Sequence, residues 1–292
     1  MFLEAFITYL RAERNCSSHT LKAYETDVRM FCDYMRGVDS TLTLADCDCD
    51  LVRCWIANLI DEGCAVNSVC RKLSSVRAFF VFLKGKGVVA SNPAKDVKAP
   101  KKHKMLPMFV KEEEMSQLLD EQLSGDDYIN IRNRAVISCF YEMGLRLSEL
   151  RGLNLVDVDW SESKIKVLGK RNKERIVPFG PSLRSLLLEY LEAREAVVGG
   201  DSALFLSEKG VRLSASQIYR MVRSALSLVS TVKRRGPHTL RHTFATVMLN
   251  NEAELGVVKE LLGHEQLATT EIYTHVSFEE LKRVYKKAHP RA

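Results

Sequence analysis

The sequence predicts a mainly α-helical protein in two parts, a four-helix N-terminal bundle and a mixed α/β domain with a small antiparallel sheet. Apolar residues recur at spacings of three and four through roughly the first ninety residues, which predicts amphipathic helices. A stretch with three prolines and several lysines follows and separates the two parts. One short region of the second part alternates apolar and polar residues, a pattern typical of strands.

Four amphipathic helices are predicted within residues 1–92. Side chains that can accept a hydrogen bond from a free helical N–H stand before most of them. The candidate starts are, in chain order, Phe2, Ser17 or Ser18, Asp48 or Asp50, and Asn67 or Ser68. The fourth helix is predicted to end at Gly85-Lys86-Gly87, because glycine favours helix termination. Short connections between the helices predict a compact bundle.

Residues 93–108 are predicted to form a linker. Pro93, Pro100 and Pro107 prevent a regular helix there and favour an extended chain. The run Lys98-Ala99-Pro100-Lys101-Lys102-His103-Lys104 carries four lysines in seven positions. Such a run either follows a phosphate backbone or forms an ordinary solvated linker, and its composition does not choose between these two interpretations.

The second domain, residues 109–292, is predicted to combine helices with a β-hairpin. Helical periodicity covers about 111–122, 128–143, 181–197, 214–227, 239–250, 254–262 and 277–287. Between the second and third of these helices, Lys164–Val167 and Arg175–Pro178 alternate in polarity, which predicts two strands. The basic residues from Gly169 to Lys173 would then form the tip of the hairpin.

The bulk composition permits a polyanionic partner without requiring one. The 292 residues include 43 Lys+Arg and 37 Asp+Glu, which gives a formal charge of +6. No apolar run reaches the ~18 residues that a membrane-spanning helix needs. The N-terminus lacks a basic leader and a small-residue cleavage site. We therefore expect no membrane insertion and a cytoplasmic, nucleoid-associated protein.

The cysteines do not have the spacing of a metal site. Seven of the eight cysteines precede residue 71. Cys47-Asp48-Cys49 with Cys54 lacks the paired Cys-x-x-Cys spacing, and no histidine lies nearby. Disulfides are not expected in a reducing compartment. We expect most of these side chains to act as small buried apolar groups, and we expect no metal or other cofactor.

Polar residues at three element ends could contribute to one site. His238 and Arg241 lie three apart after a Gly-Pro helix start, so both can face one anion at a helix N-terminus. Arg146 follows a helix that Gly144 can end, before a short helix capped near Ser148. Each has an ordinary alternative, because arginines at helix ends often bind carbonyls and exposed helix faces are often polar.

Three further residues complete an inventory that suits attack on a phosphodiester. Lys170 lies on the hairpin tip, His264 follows Gly263 at a helix end, and Tyr273 is one of nine tyrosines. Such attack needs fixed positive charge, an acid for the leaving oxygen and an activated hydroxyl. Taken alone, a basic turn is often merely solvated, and spacing does not single out one tyrosine.

Five motifs in order resemble the tyrosine recombinase (phage integrase) family, whose signature is Arg, Lys, His-x-x-Arg, His/Trp and Tyr. They are Gly-Leu-Arg-Leu-Ser-Glu-Leu (144–150), Gly-Lys-Arg-Asn-Lys-Glu-Arg (169–175), His-Thr-Leu-Arg-His-Thr-Phe-Ala-Thr (238–246), Leu-Leu-Gly-His (261–264) and Thr-Thr-Glu-Ile-Tyr-Thr-His-Val (269–276). Ser18-His19-Thr20-Leu21-Lys22-Ala23-Tyr24 resembles the helical core-binding domain of the same family. The resemblance therefore covers nearly the whole chain.

The chain is most similar to the Xer branch of that family. It begins at the helical bundle, without an arm-binding domain, and it ends in Ala288-His289-Pro290-Arg291-Ala292. Two departures from the family pattern are visible. Arg171 stands where a glycine usually follows the hairpin lysine, and Glu142-Met143 replaces a small polar pair before Gly144.

The resemblance implies a site-specific recombinase that cuts and rejoins DNA through a 3′-phosphotyrosyl link. It assigns Tyr273 as the nucleophile, Lys170 as general acid, and His238 and His264 as proton and phosphate partners. It implies that Arg146 and Arg241 hold the non-bridging oxygens, a task suited to their planar forks. The bond energy is kept in the ester, so neither ATP nor a metal is needed.

The resemblance also implies binding partners and further DNA contacts. Double-stranded DNA would be enclosed by both domains, within a homo- or hetero-tetramer on two DNA sites. The apolar stripe of the last helix would dock in trans on a neighbouring subunit, or else pack on its own domain. A second Xer-type recombinase and a septal DNA translocase are expected partners. Candidate DNA contacts are Arg53, Arg71, Lys72, Arg77, Lys101, Lys102, Lys104, Arg171 and Lys173.

Several functions fit the same motifs. Xer-like resolution of chromosome dimers is the first of them, and a mobile-element integrase or a DNA invertase would use the same chemistry. A type IB topoisomerase would share the cleavage step but would relax DNA at single sites. A non-catalytic architectural DNA-binding protein belongs to another class, and the complete six-residue set argues against it.

Overall fold

The computed structural model describes residues 2–101, 109–169, 173–197, 199, 201–230, 232, 235–263 and 277–292. The chain divides into two compact units, Met1–Met105 and Leu106–Ala292. In the described part, helices dominate and the regular strands form a single small sheet. This confirms the predicted fold class.

The first unit is a bundle of four helices. They are α1 (Phe2–Ala12), α2 (Ser18–Val38), α3 (Cys49–Asp61) and α4 (Val66–Gly85). Large side chains from all four meet in its core, among them Phe6, Phe31, Trp55, Phe79 and Phe80. The apolar stripes identified in the sequence therefore face one another, as expected of amphipathic helices.

The helix starts of the bundle follow the predicted caps in two cases and not in a third. The Ser17 hydroxyl accepts a hydrogen bond from Thr20 N at 3.3 Å, and the Asp48 carboxylate accepts one from Leu51 N at 2.7 Å. Helix α4 instead starts after Ala65, which offers no side-chain cap. The Ala65 carbonyl accepts from Ser68 N at 2.8 Å, so the backbone turn alone begins this helix.

The start of the predicted linker packs on the bundle instead of extending freely. Ala94 and Val97 are buried in the bundle core. The Arg77 guanidinium donates to the Ala94 carbonyl at 2.9 Å and also to the Val97 carbonyl. The Asn92 amide donates to the Arg77 carbonyl at 3.1 Å. Proline excludes a helix here, but two buried apolar side chains and the half-buried Arg77 still hold the extended chain against α4.

The second unit contains the remaining helices and the sheet. The helices are α5 (Glu112–Ser116, continued by a π-helical turn Gln117–Gln122), α6 (Tyr128–Met143), α7 (Leu147–Gly152), α8 (Pro181–Glu195), α9 (Ala215–Val229), α10 (Pro237–Asn250), α11 (Leu255–Leu262) and α12 (Phe278–Ala288). The strands β1 (Val158–Asp159), β2 (Lys164–Leu168) and β3 (Glu174–Pro178) are antiparallel in the order β1-β2-β3. The hairpin of β2 and β3 confirms the predicted strands, while the short β1 had no alternating pattern to announce it.

Helix α12 packs on its own unit. Leu281, Tyr285 and Ala288 are buried in a cluster that includes Phe244 of α10 and Leu261 of α11. Packing on its own domain was one of the two expectations for this stripe, and docking on a neighbouring subunit stays a prediction. An apolar stripe has to be covered, and a chain without a partner can cover it only with its own surface.

The residues after α12 are also held in place. The ring of His289 stacks on Tyr285 and Phe244, with ring centroids 5.5 and 5.8 Å apart. The Arg291 guanidinium forms an ion pair with Asp120. A Cβ on Gly180 would lie only 2.6 Å from the Arg291 carbonyl, so the last residues run directly against the backbone before α8. The C-terminus is therefore a packed part of the second unit.

Candidate active site

Arg146 lies at a tight junction between two helices. Helix α6 ends at Gly144, whose φ of 58° and ψ of 31° lie in the left-handed region that glycine tolerates best. A Cβ at that position would lie 2.5 Å from the ring of Phe244, so close packing also requires glycine. Helix α7 then begins with Arg146 as its N-cap residue, two residues before the predicted cap at Ser148.

The carboxylate of Glu149 closes this junction. Its Oε2 accepts a hydrogen bond from the Arg146 backbone N–H at 2.7 Å, and its Oε1 accepts one from the Arg146 guanidinium at 2.6 Å. The first contact replaces the missing hydroxyl cap, because the Glu149 side chain reaches back to the N-cap amide. Arg146 keeps 29% of its side chain exposed, so its guanidinium lies at the surface of the site.

Arg241 and His238 come from the first turns of α10. The helix starts at Pro237, as the Gly-Pro sequence predicted. Arg241 faces inward, with its side chain 9% exposed, and donates to the Gly144 carbonyl at 2.6 Å and to the Leu262 carbonyl. Its Nη1 lies 3.8 Å from Glu149 Oε2. His238 is exposed beside it on the same helix.

A third arginine, Arg175 of β3, binds the same carboxylate. Its Nη1 donates to Glu149 Oε1 at 2.7 Å and its Nη2 to Glu149 Oε2 at 2.9 Å, a two-pronged pairing. Glu149 is therefore surrounded by guanidinium groups from the start of α7, from β3 and from α10. Its side chain is only 1% exposed.

The same arginines bind the end of α11. Arg175 Nε donates to the Leu261 carbonyl at 2.8 Å, and Arg146 Nη2 donates to the Gly263 carbonyl at 2.8 Å. Arg241 donates to the carbonyl of Leu262, the residue between Leu261 and Gly263. The last carbonyls of a helix lack helical partners and carry partial negative charge, so cations are favoured there. Three consecutive carbonyls are thus each held by a different guanidinium.

The electrostatics of the site leave a surplus of positive charge. Burial alone would raise the pKa of Glu149, but hydrogen bonds and charge from Arg175, together with the Arg146 contacts, lower that pKa to about 2. Burial, with the charges of Arg146 and Arg175, lowers the pKa of Arg241 to about 10 in spite of Glu149. At neutral pH three cations thus face one carboxylate, an arrangement suited to a phosphodiester anion.

The other three predicted catalytic residues lie outside the described residues. Lys170 belongs to the segment between the ends of β2 and β3, and His264 follows Gly263, which ends α11 in a left-handed conformation with φ of 62°. Tyr273 lies in the segment before α12. Lys102, Lys104 and Arg171, three of the candidate DNA contacts, are likewise outside the described part.

The candidate DNA contacts of the bundle divide into exposed and buried side chains. Arg53 is 60% exposed and pairs with Asp50 at 2.6 Å. Arg71 is 49% exposed and pairs with the buried Asp27. Lys72 is only 8% exposed, its Nζ 3.6 Å from Asp27, so the structure corrects its assignment as a surface contact.

Arg77 is corrected for a related reason, since its guanidinium is used by the backbone carbonyls of residues 94 and 97. Both contacts keep the Arg77 guanidinium against the segment that follows α4 within the first unit. Lys101 and Lys173 are exposed in their respective units. These two keep the accessibility that a backbone contact with DNA requires.

The prediction that most cysteines are buried is wrong, because four of the eight are only partly buried and Cys54 is exposed. All eight cysteines have free thiols in the described part, three of them buried, and the described residues contain no cluster of potential metal ligands. Burial raises the pKa of Cys47 to about 12, with the nearby Asp48 adding to the shift. Across the same residues, no helix combines the length and apolar character that crossing a bilayer demands.

Two family models match the chain, one in each unit. The phage integrase N-terminal SAM-like domain matches residues 3–87, and the phage integrase family matches residues 108–280. The chain belongs to the phage integrase family. The arginine cluster lies wholly inside the second of these regions.

Curated relatives of this phage integrase family member specify the kind of enzyme. Tyrosine recombinase XerC of Halalkalibacterium halodurans is 42% identical over 100% of this chain and 98% of its own length. The protein of that name from Chlorobaculum tepidum is 37% identical over 100% of this chain and 95% of its own length. This phage integrase family member is a Xer-like site-specific DNA recombinase, and the relatives do not favour the integrase, invertase or architectural alternatives.

A solved structure supports the fold. The XerH site-specific recombinase bound to a difH substrate in a pre-cleavage complex has a TM-score of 0.71 and 23% identity, covering 96% of this chain and 83% of its own. At that identity the likeness concerns the architecture of the phage integrase family, a helical domain followed by a mainly helical domain with a small sheet.

The sequence reasoning missed two residues of the cluster. Glu149 lies inside one of the motifs, three residues after Arg146, a spacing that brings side chains together on a helix. Arg175 was predicted only as the first residue of a strand, at the end of the Gly169–Arg175 motif. Its position at the start of β3, two residues before the buried Val177 and so on the same face of the strand, was the available signal that it faces inward.

Proposed function

We propose that this recombinase breaks DNA by attack of Tyr273 on the scissile phosphate. The tyrosine oxygen forms a bond to phosphorus, the bond from phosphorus to the 5′ oxygen breaks, and a 3′-phosphotyrosyl ester remains. The leaving 5′ oxygen takes a proton from Lys170 and becomes a free hydroxyl. Attack of another strand's 5′ hydroxyl on the ester rejoins the DNA and frees the tyrosine. No net bond energy is lost, so neither ATP nor a metal is required.

The observation that carries this proposal is the arginine cluster around Glu149. Arg146 is 117 residues away from its carbonyl partner Gly263 along the chain, and Arg241 is 97 residues away from its carbonyl partner Gly144. Folding nevertheless brings both arginines to the carboxylate of Glu149. Their guanidinium groups can share a phosphate because each has more N–H donors than its described partners use. In the proposed role they hold the two non-bridging oxygens and stabilise the charge that builds up during attack.

The two histidines and the lysine complete the proposed chemistry. A phenol with a pKa near 10 has to lose its proton to attack at neutral pH. His238 is exposed next to Arg241 on α10, where its imidazole can accept that proton. His264 directly follows the carbonyl that Arg146 holds, and it is proposed to donate a hydrogen bond to the phosphate. Lys170 is proposed as the general acid.

The test of the proposed chemistry is covalent trapping. DNA that becomes attached to the protein in cells is recovered and sequenced, and a duplex of that sequence is made with a nick next to the cleavage position. Cleavage releases a short strand that diffuses away, so the ester accumulates. We expect a covalent complex that forms in the presence of a chelator and whose DNA-bearing peptide contains Tyr273. A different attached residue, or no complex with any recovered sequence, contradicts the proposal.

Arg241→Lys is expected to slow covalent trapping by ~100-fold, with a much smaller change in DNA affinity. A single ammonium group cannot replace the paired donors of a guanidinium, and loss of one such stabilising group typically costs 10²–10³ in rate. The measurement is the single-turnover trapping rate on the nicked duplex, with affinity from fluorescence anisotropy. Arg132→Lys is the matched control, because Arg132 is also buried and binds the Leu206 carbonyl. Equal effects of the two variants would contradict the role.

DNA binding is proposed to involve both domains, with residues 1–92 as a core-binding domain, 93–108 as linker and 109–292 as the catalytic domain. Arg53, Arg71, Lys101 and Lys173 have exposed side chains in the structure and remain candidate phosphate contacts. Lys102, Lys104 and Arg171 are proposed from the sequence alone. Phosphate contacts supply affinity by releasing counterions, so binding should weaken steeply as salt rises.

The proposed cellular role is the resolution of chromosome dimers, by analogy with the XerC relatives. We propose a tetramer on two DNA duplexes, with a second Xer-type recombinase as partner and a septal DNA translocase as activator. In such an assembly α12 would leave its own cluster and dock on the next subunit. Because the proposed substrate is chromosomal DNA, we propose that the protein acts in the cytoplasm, at the nucleoid.

The proposed tetramer predicts a defined stoichiometry. On a duplex carrying one complete site we expect two protomers, and at higher DNA concentration a complex of four protomers with two duplexes. Analytical ultracentrifugation with separately labelled protein and DNA measures both ratios. If the protein needs a partner recombinase, the four-protomer complex will form only with that partner. Deletion of α12 is a poor test, because it would also expose the core around Phe244.

A further inference from the structure

The arginines of the site differ in how far their charges are used within the protein. The described contacts of Arg146 leave its side chain 29% exposed, whereas Arg175 is 10% exposed and has all three of its guanidinium nitrogens in hydrogen bonds. Two of those bonds go to Glu149 and the third goes to the Leu261 carbonyl. Arg175 therefore has little capacity to bind DNA itself.

Arg175 connects three elements. It belongs to β3, which continues the segment containing Lys170, and its guanidinium reaches the start of α7 through Glu149. Its Nε reaches the end of α11, one turn from where the chain leads to His264. The Arg175 side chain also lies against Gly263, where an added Cβ would be 3.1 Å from Arg175 Cδ. The Arg175 side chain thus connects the hairpin, the end of α11 and, through Glu149, the pair Arg146 and Arg241, which we call the clamp.

Glu149 depends on this arginine to stay charged. A buried carboxylate without a cation tends to take up a proton, and burial does raise the pKa of Glu149. The hydrogen bonds and charge of Arg175 are the largest influence in the other direction, ahead of those from Arg146. The charged groups facing Glu149 among the described residues are Arg175 of β3, Arg146 at the start of α7 and Arg241 of α10.

A protonated Glu149 would hold the clamp less well. Its Oε1 now accepts from Arg146 and Arg175 together, and its Oε2 accepts from the Arg146 backbone N–H and from Arg175. A neutral acid has one oxygen that carries the proton, so it loses acceptor capacity and its attraction for the guanidinium groups. Arg146 would then be free to leave the geometry in which it and Arg241 face a common point.

We propose that Arg175 is a positioning residue for the cleavage reaction, holding Glu149 so that Glu149 orients Arg146 and Arg241 toward the phosphate. This role rests on the proposed function of Arg146 and Arg241 as the phosphate clamp. Arg175 itself touches neither the phosphate nor the nucleophile in this role.

The test compares Arg175→Gln with the wild-type enzyme in single-turnover trapping on the nicked duplex, from pH 5 to pH 9. Glutamine removes the charge and one arm of the pairing. We expect ~10- to 100-fold slower trapping near neutral pH with nearly unchanged DNA affinity. We also expect a new loss of rate toward acid pH, absent in the wild type, as Glu149 becomes protonated in the variant. Arg175→Lys keeps the charge that holds Glu149 ionised, so it should recover much of the rate near neutral pH and show less of the acid loss.

Three controls separate this role from mere structural support. Arg134→Gln removes another half-buried arginine, which pairs with Glu189 at 2.5 Å and binds the Leu123 carbonyl at 3.1 Å. It should leave trapping and its pH profile unchanged at equal folded fraction. Glu149→Gln has no carboxyl to protonate and should show no acid loss. The double variant Glu149→Gln/Arg175→Gln should therefore lack the acid loss of Arg175→Gln and be no slower than the slower single variant.

Each outcome decides one question. If the wild type forms no covalent complex, the proposed function fails before Arg175 is in question. If the wild type is trapped and the folded Arg175→Gln variant has the same rate and the same pH profile, the positioning role is wrong. A loss that is equal at every pH and tracks a lowered melting temperature would also overturn it, because that is the signature of structural support alone.

Discussion

Replacing Tyr273 by phenylalanine is expected to abolish covalent trapping while DNA binding remains. The change removes one oxygen atom, the atom proposed to bond to phosphorus, and leaves the aromatic ring in place. None of the other residues assigned to the site can form the same ester with the same geometry, so the loss should be complete, beyond the ~10⁴-fold range of most single substitutions. The readout is the covalent band on the nicked duplex, with affinity measured in parallel.

The matched control for this experiment is Tyr219→Phe. Tyr219 lies on α9 with 46% of its surface exposed, so its hydroxyl can be removed without a buried vacancy. We expect this control to be trapped at the wild-type rate. Persistent trapping of Tyr273→Phe would show that another residue is the nucleophile and would overturn the whole mechanism.

Replacing Glu142 by glutamine is expected to give the largest change in stability and in its dependence on pH. Glu142 of α6 is fully buried, and neither of its oxygens has a hydrogen-bond partner among the described residues. Burial raises the pKa of this carboxyl from 4.5 to about 8, although the charge of Arg291 lowers it somewhat. The sequence is unusual here, because the family pattern has small polar residues at this place.

The direction of the pH effect follows from the proton balance. Between the pKa of the unfolded chain and that of the folded chain, the folded state keeps a proton on Glu142 that the unfolded state has released. The free energy of unfolding therefore decreases as pH rises from about 4.5 to about 8, by an amount on the order of 3–5 kcal/mol if the whole shift is realised. Glutamine carries no such proton, so the variant should lose this slope.

Urea unfolding at pH 5, 6, 7 and 8 measures the effect. The free energy of unfolding of the variant, relative to that of the wild type, should increase steadily toward pH 8. This holds even if the buried amide lowers the stability of the variant by a constant amount at all pH values. Glu113→Gln is the control, since Glu113 is exposed on α5 and its loss makes the same change in formal charge. If both variants change with pH in the same way, Glu142 does not hold its proton in the folded state.

The Glu142 region lies next to the packed C-terminus of the chain. Glu142 lies close enough to Arg291 and Tyr285 for their charges or ionisation to affect one another, and these two belong to the packed C-terminus. The same α12 that the proposed tetramer requires to dock in trans is covered in cis by the core around Phe244. An exchange between the two arrangements would have to expose that core for a time, so it should need DNA or a partner subunit to compensate.

Some helix ends and connections could be predicted from the local sequence, and others could not. The start of α10 at Pro237 and the end of α6 at Gly144 could be predicted, because a proline at N1 and a glycine in the left-handed region act through their own backbones. The start of α4 could not, because Ala65 begins that helix with its carbonyl and no side-chain signal. The packing of residues 94–97 on α4 depended equally on a distant arginine, Arg77.

The sequence by itself determined the mainly helical class, the bundle, the hairpin and the family, because helix periodicity, strand alternation and ordered motifs are all local properties of the chain. Only the tertiary structure decided that Glu149 is the common partner of Arg146, Arg175 and Arg241, since these residues lie on separate elements. It also decided that Lys72 and Arg77 face inward and that α12 covers its own domain. A side chain's charge is set by the sequence, but its partner depends on which elements pack together.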